Sequence, residues 1–181
     1  MQRTAKIIAT ELLVLQVKSG DKAAFEELYR LWMPIVYGRC LRQLRHPASA
    51  QDATSKVWIK IIKGIGRLRN PTTFAAWLMR IAHLTCVDIV RKQIRQGSIN
   101  QQLQDEIPNQ PAVDENAIDL AKAIKQLPDG QQQVLDLHYS LGFSIAEIAH
   151  ILGIKQGTVK SRLHTARQSL KTKLQTGENY E

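Results

Sequence analysis

The sequence predicts an all-α protein of two small helical domains joined by a flexible linker, with a helix-turn-helix in the C-terminal domain. Apolar residues recur at helical spacing along most of the 181 residues, and the sustained alternation typical of strands is nearly absent. Residues 97–115 interrupt this pattern with two prolines, many Gln and Asn, acidic charge and no period, which is typical of a linker. We therefore expect an N-terminal domain at 1–96 and a C-terminal domain at 116–181.

The charge of the chain is basic and unevenly distributed. Lys and Arg number 25 against 16 Asp and Glu, which gives a net charge of +9. Residues 1–100 carry 17 basic and 6 acidic groups, residues 101–130 carry 2 and 6, and residues 131–181 carry 6 and 4. Such an excess suits a polyanionic partner, either nucleic acid or an anionic membrane surface, although surface charge also serves solubility alone. Charge by itself favours nucleic acid only mildly.

No pattern in the sequence is typical of a catalytic, metal or cofactor site. A glycine-rich phosphate loop, a His-Glu-x-x-His motif and a Cys-x-x-Cys motif are absent, and the five histidines have no ligand spacing. Cys40 and Cys86 lie in separate helical patterns, which favours packing in the core over a disulfide or a metal site. We therefore expect no enzymatic activity, no metal and no cofactor.

The sequence also predicts a protein without membrane insertion. No apolar run approaches the ~20 residues that span a bilayer. The first ten residues lack the apolar core of a signal peptide. We expect a cytoplasmic protein.

In the N-terminal domain, capping and breaking residues divide the first part of the helical pattern. A first helix is expected over Ile7–Lys18, and Asp21 is expected to cap a second helix that kinks at Pro34. Ser49 with Asp52 forms a weak capping box that would begin the third helix after the His-Pro break.

A loop precedes the last helix of this domain. Gly, Asn and Pro cluster over Gly64–Pro71, and Thr72 or Thr73 is expected to cap a helix that runs to about Gln96. The loop is either a plain surface connection or a nucleic-acid contact. Trp77 near the start of the helix is expected in the core rather than as a stacking platform.

Strong local signals divide the C-terminal domain into four helices. Pro128 ends the first, and Asp129 is expected to cap the second. Ser144 with Glu147 forms a capping box before the third, and Gly153 turns the chain into the fourth. The expected helices are Asn116–Leu127, Gly130–Tyr139, Ile145–Leu152 and Gln156–Lys173.

The last two helices form a helix-turn-helix whose second helix has two faces. The face expected to pack inward consists of Val159, Leu163, Ala166 and Leu170. The opposite face and its flanks carry short polar and basic groups: Gly157, Thr158, Lys160, Ser161, Arg162, His164, Thr165 and Gln168. Such groups suit base edges and phosphates in a major groove. A helical hairpin with a solvated outer face is the alternative, but the capping, the glycine and the basic flanks together favour DNA binding.

Motifs in both domains resemble those of extracytoplasmic-function sigma factors. In the C-terminal domain the resemblance lies in Leu127-Pro128, Gly142-Phe143-Ser144-Ile145-Ala146-Glu147 and Gly157-Thr158-Val159-Lys160-Ser161-Arg162. In the N-terminal domain it lies in Gly20-Asp21, Ala50-Gln51-Asp52, Trp77-Leu78 and Arg91-Lys92. It covers roughly Lys18–Leu174, and the order of the two halves makes it specific.

The resemblance implies a protein that binds core RNA polymerase, recognises and opens promoter DNA, and is held inactive by an anti-sigma factor. It places polymerase contacts on the helix that carries Asp52, Lys56 and Ile59. It assigns the minus-ten element to the Gly66–Thr73 loop and the following helix, with contacts expected from Arg67, Arg69, Asn70, Arg80, His83 and Arg91. It assigns the minus-thirty-five element to the polar face of the last helix.

Three departures from the family pattern leave other functions open. Ser55-Lys56 stands where the family usually has Gln-Glu, His83-Leu84 where Arg-Asn is common, and Thr165 where Arg is frequent. These changes are expected to alter polymerase and promoter contacts. An autonomous helix-turn-helix regulator that binds operator DNA without polymerase is the main alternative. A degenerate homologue that no longer initiates transcription is the other.

Overall fold

The computed structural model describes residues 2–96 and 115–177, and within these residues every regular element is helical. The chain divides into two compact units, Met1–Ile107 and Pro108–Glu181. The boundary falls inside the predicted linker, of which residues 97–114 lie outside the described ranges. The all-α prediction is confirmed.

The first unit contains four long helices, and the second helix packs against each of the other three. They are α1 (Gln2–Lys18), α2 (Lys22–Leu44), α3 (Pro47–Gly64) and α4 (Phe74–Arg95). Their core contains the fully buried side chains of Val14, Leu28, Val36, Val57, Ile61, Phe74, Leu78 and Met79. Removing this apolar surface from water is the main favourable term in folding the unit.

The boundaries of α1 and α2 differ in part from the expected ones. Helix α1 begins at Gln2, five residues before the expected start. Asp21 caps α2 as predicted, because its side chain accepts hydrogen bonds from the backbone N–H groups of Ala23 at 2.8 Å and Ala24 at 3.1 Å. The helix then continues through Pro34 to Leu44.

The predicted capping box at the start of α3 is wrong. The helix begins at Pro47, and the His46 side chain accepts a hydrogen bond from the Ser49 backbone N–H at 3.3 Å. Proline is favourable as the first helical residue, since the N–H that it lacks would have no partner inside the helix. A histidine cap followed by proline thus replaces the expected Ser49–Asp52 pair.

The apolar run that forms most of α4 is longer than the sequence pattern suggested. Residues Pro71–Arg95 are long and apolar enough to cross a membrane by length and composition alone, contrary to the expectation that no run approaches that length. In this protein the buried face of the helix, with Leu78, Met79 and Ala82, packs into the core of the first unit. We therefore interpret it as a core helix.

The two cysteines lie in that core. Cys40 on α2 and Cys86 on α4 are fully buried free thiols, which confirms the expected core packing. A hydrogen bond between the two thiols lowers the pKa of Cys40 and raises that of Cys86.

Within the described residues, the second unit contains three short helices, one long helix and one π-helical turn. They are α5 (Glu115–Lys125), α6 (Asp129–Leu135), the π turn Asp136–Ser140, α7 (Ile145–Leu152) and α8 (Gln156–Gly177). Helix α8 packs against α5, α6 and α7.

Two of the boundaries expected in this unit are corrected. The first helix ends at Lys125 rather than Leu127. Asp129 is the first residue of α6 and Pro128 holds the cap position, so Asp129 is not the cap. The carboxylate still lies in the first turn, where it is favourable to the helix dipole.

Candidate nucleic-acid interface

The helix-turn-helix of the second unit is built by two local motifs. The Ser144 hydroxyl accepts a hydrogen bond from the Glu147 backbone N–H at 3.3 Å, and the Glu147 carboxylate accepts one from the Ser144 backbone N–H at 2.7 Å. This reciprocal pair is the predicted capping box. Gly153 then adopts φ +67°, a left-handed conformation that favours glycine, and turns the chain between α7 and α8.

Helix α8 presents the two faces expected from its sequence. Val159, Leu163 and Ala166 are buried, and Leu170 is half-buried. The exposed side carries Gly157, Lys160, Ser161, His164, Thr165 and Gln168, while Thr158 and Arg162 are half-buried. A Cβ at Gly157 would meet only open space, so another molecule can approach the backbone closely there.

Arg162 lies against α6 rather than projecting directly outward from α8. A Cβ built on Gly130 would lie 3.1 Å from the guanidinium carbon of Arg162 and 3.1 Å from one of its terminal nitrogens. The guanidinium group therefore crosses the first turn of α6 at the one position there that lacks a side chain. The direction of Arg162 thus depends on a residue in another helix.

The loop between α3 and α4 in the first unit is internally ordered. Ile65–Arg67 and Pro71–Thr73 form short 3-10 turns. The Asn70 side-chain oxygen accepts hydrogen bonds from the Thr72 backbone N–H at 3.0 Å and from the Thr72 hydroxyl at 2.8 Å. Thr73 holds the cap position of α4 but makes no side-chain cap there, whereas Asn70 caps the 3-10 turn that precedes the helix.

Among the three loop residues predicted to contact DNA, the two arginines are the better placed. Arg67 and Arg69 are exposed. Asn70 is exposed as well, but its side-chain oxygen is already used within the loop. The arrangement favours Arg67 and Arg69 as contacts and Asn70 as a structural residue.

His83 on α4 contributes no positive charge at neutral pH. Burial, together with the positive charges of Arg39 and Arg80, lowers its pKa to about 4, and burial is the largest of these causes. The side chain is half-buried, and its Nδ1 is buried without a hydrogen-bond partner. Among the three α4 residues expected to contact the minus-ten element, only the half-buried Arg80 and the exposed Arg91 therefore carry a positive charge.

Trp77 packs over the end of α3. A Cβ on Gly64 would lie 2.9 Å and 3.1 Å from two carbons of the Trp77 ring, so the indole rests directly on the glycine. Phe74 meets the same ring edge-to-face, with centroids 6.1 Å apart. These contacts support the expected structural role of Trp77, which is half-buried.

The outer face of α3 combines an ion pair with exposed apolar side chains. Lys56 and Asp52 form an ion pair at 2.5 Å, with both side chains more than half exposed. Ile59 is 51% exposed and Ile62 57% exposed, and Tyr29 of α2 lies alongside with its ring 4.7 Å from that of Trp58. Sequence reasoning missed Tyr29 and Ile62, although Ile62 follows Ile59 by three residues on an otherwise polar face.

An open groove continues this surface along α2. It measures about 540 Å³ and is lined by Phe25, Glu26, Tyr29, Arg30, Met33 and Pro34. The part of the chain that the structure describes contains no group of three His, Cys, Asp or Glu placed to hold a metal ion.

Two family models match the chain, one in each unit and in the order expected. Sigma-70 region 2 matches residues 28–96, and sigma-70 region 4 matches residues 117–170. The extracytoplasmic-function RNA polymerase sigma factor SigW of Bacillus subtilis (strain 168) is 30% identical over 176 residues, which cover 89% of this chain and 94% of SigW. The chain belongs to the extracytoplasmic-function sigma factors. The SigM factor of Mycobacterium tuberculosis (strain Erdman) is 32% identical over 162 residues, which cover 88% of this chain and 81% of SigM.

Solved structures support the fold of this sigma factor. The sigma factor RpoE from Bartonella quintana, in complex with the anti-sigma factor NepR, superposes with a TM-score of 0.68 at 23% identity and covers 83% of this chain and 96% of its own. The structure of CnrH with the cytosolic domain of CnrY gives a TM-score of 0.60 at 20% identity, with 93% and 98% covered. The helix-turn-helix of this sigma factor thus lies in region 4, and the α3–α4 loop lies in region 2.

Proposed function

We propose that this sigma factor binds core RNA polymerase and directs promoter-specific transcription initiation, with the polymerase supplying the catalysis. The observation that carries the proposal is the match of both sigma-70 regions in order, with region 4 folded as a capped helix-turn-helix that exposes a polar face. A protein that acts on RNA polymerase in this way works in the cytoplasm. The chain itself is a regulatory subunit and not an enzyme.

The second unit reads the minus-thirty-five element with the exposed face of α8. Lys160 is an exposed cation on the flank of that face and is suited to a phosphate. Ser161, His164, Thr165 and Gln168 are short or medium polar groups that suit base edges. Gly157 and Thr158, at the start of the helix, lie where recognition helices meet base edges.

The first unit reads the minus-ten element with the α3–α4 loop and the outer edge of α4. Arg67 and Arg69 project from an ordered loop, and Arg91 extends the positive surface along the helix. An ordered loop beside a basic helix suits capture of a base that leaves the stack as the duplex opens.

The polymerase contacts the outer face of α3. Asp52, Lys56 and Ile59 belong to this face, and the exposed side chains of Tyr29 and Ile62 extend it. Exposed apolar side chains grouped on one surface are typical of a protein–protein contact. Because the ion pair of Asp52 and Lys56 is solvated, we expect the apolar side chains to contribute more to binding.

An anti-sigma factor is the proposed regulatory partner. The structures of RpoE and CnrH both contain a bound partner protein, and in the first the partner is an anti-sigma factor. The exposed apolar face of α3 gives such a partner a surface whose coverage would exclude polymerase. Recovery of a co-purifying protein that blocks core binding would support this proposal, whereas unregulated transcription in the host cell would contradict it.

The decisive experiment is co-elution of the full chain with core RNA polymerase, followed by run-off transcription on host promoters. Binding with promoter-specific transcripts is the expected result. Binding without transcripts would indicate a degenerate homologue, and tight DNA binding without polymerase would indicate an autonomous regulator. Ile62→Asp should abolish co-elution, whereas Ile94→Asp, at a similarly exposed isoleucine on α4, serves as the matched control.

A further inference from the structure

The C-terminal end of α1 is connected to the α3–α4 loop by one hydrogen bond. The ammonium group of Lys18 donates to the backbone carbonyl of Leu68 at 2.6 Å, across 50 residues of sequence. Helix α1 also packs against both 3-10 turns of the loop. The first helix of the unit therefore supports the loop to which we assign minus-ten recognition.

The bonded carbonyl lies between the two 3-10 turns of the loop, each of which is closed by its own hydrogen bonds. The first 3-10 turn closes through the Leu68 backbone N–H, which donates to the Ile65 carbonyl at 3.1 Å. The second closes through Asn70, whose carbonyl accepts from the Thr73 backbone N–H at 3.1 Å and from the Thr73 hydroxyl at 2.8 Å. Between the two turns, Leu68 is extended, with φ −66° and ψ 113°.

A hydrogen bond at this carbonyl orients the residue that follows. The peptide group is planar, so fixing the Leu68 carbonyl also fixes the direction of the Arg69 backbone N–H. The exposed Arg67 and Arg69 flank the fixed position on either side. A charged donor makes a stronger hydrogen bond than a neutral one, and this bond joins residues that are 50 positions apart in the sequence.

We propose that Lys18 is a positioning residue for promoter recognition: it holds the Leu68–Arg69 peptide so that the loop presents its arginines in one arrangement. This inference rests on the proposed role of the loop in reading the minus-ten element. Lys18 is exposed, so its bond contributes little to the stability of the unit. We therefore expect its loss to change base discrimination rather than folding.

The test uses polymerase reconstituted with the full-length sigma factor. The wild-type complex first selects a promoter from a randomised duplex library. Binding is then measured to a fluorescent single strand that carries the selected minus-ten sequence and to the same strand with one base substituted. The discrimination ratio is the quotient of the two dissociation constants. Lys18→Met removes the donor but keeps the aliphatic length, Lys18→Arg keeps a cationic donor, and Lys22→Met is the matched control at another exposed lysine.

We expect Lys18→Met to lower the discrimination ratio by up to about fivefold, because the loop would no longer hold its arginines in one arrangement and the energy of one hydrogen bond sets the upper limit of the effect. Lys18→Arg and Lys22→Met should retain the wild-type ratio, and affinity for core polymerase should not change. The dependence of binding on salt should also stay the same. An unchanged ratio for Lys18→Met would overturn the proposal. If Lys18→Met instead keeps the wild-type ratio and lowers the slope of log affinity against log salt concentration by about 0.7, Lys18 is a direct phosphate contact, and the proposal is also overturned.

Arg69→Ala separates a failure of this inference from a failure of the proposed function. If Arg69→Ala lowers the ratio and Lys18→Met does not, the loop reads DNA but Lys18 does not position it. If neither variant changes the ratio, the loop is a plain surface connection and both proposals fail.

Discussion

At the scale of single residues, Lys160 offers the most direct test of the minus-thirty-five surface. Its exposed ammonium lies near the start of α8, on the face that carries Ser161 and His164. If it neutralises one phosphate, Lys160→Ala should weaken binding of duplex promoter and reduce the log–log salt slope by about 0.9. Salt titrations of holoenzyme binding measure both quantities. Lys171→Ala, three turns further along the same face, should leave the slope unchanged, and an unchanged slope for Lys160→Ala would remove it from the phosphate contacts.

Gly130 permits a second test at this scale, since it sets the direction of Arg162. In Gly130→Ala the new methyl group meets only the far end of a flexible side chain, 3.1 Å away. Alanine is also favoured over glycine within a helix by up to about 1 kcal/mol. We therefore expect the variant to fold with unchanged or slightly increased stability while Arg162 moves aside. A change in promoter affinity equal to that of Arg162→Ala would show that the arginine acts from its position across α6. If Gly130→Ala leaves promoter affinity unchanged while Arg162→Ala lowers it, Arg162 acts from another position.

At the scale of elements, the junction of α3 and α4 depends on the contact between Gly64 and Trp77. A methyl group in Gly64→Ala would approach two ring carbons to 2.9 and 3.1 Å, and a packed indole cannot move aside as easily as a long flexible side chain. We expect a loss of about 1–3 kcal/mol in the free energy of unfolding of the first unit. All three tryptophans lie in this unit, so the fluorescence of the full chain in urea follows its unfolding alone. Gly38→Ala in α2 is the matched control, since its Cβ would lie 4.0 Å from the nearest atom; equal effects of the two substitutions would contradict the packing argument.

Elements set by nearby residues were predictable from the sequence, whereas properties set by distant residues were not. The Ser144–Glu147 capping box, the Asp21 cap and the turn at Gly153 involve groups within a few residues, and all three are confirmed. The cap at His46 was missed because histidine is an infrequent capping residue. The two faces of α8 followed from helical periodicity alone. By contrast, the direction of Arg162 depends on Gly130, and the neutral state of His83 depends in part on Arg39, so neither could be read from local spacing.

At the scale of the whole molecule, the chain has a net charge of +9, yet folding keeps one of its histidines neutral. Because that histidine binds a proton more readily in the unfolded chain, the stability of the protein depends on pH. The pKa of His83 falls from 6.5 to about 4 on folding, so between these values the unfolded chain binds a proton that the folded unit excludes. The contribution of His83 to stability is therefore fully present above pH 6.5 and decreases as pH falls toward 4. The total loss is at most about 2 kcal/mol once partial exposure is allowed for.

Urea unfolding followed by tryptophan fluorescence at pH 7.0 and 4.5 measures this dependence in the full chain. His83→Gln removes the titrating group and should flatten the profile relative to wild type, because glutamine gains no charge in the unfolded state. His164→Gln, an exposed histidine of the second unit, should leave the profile of the first unit unchanged. Carboxylates also titrate near pH 4.5, so the difference between wild type and His83→Gln is the quantity that decides. Parallel profiles for these two proteins would mean that the pKa of His83 is the same in the folded and the unfolded chain, so that folding does not exclude its proton.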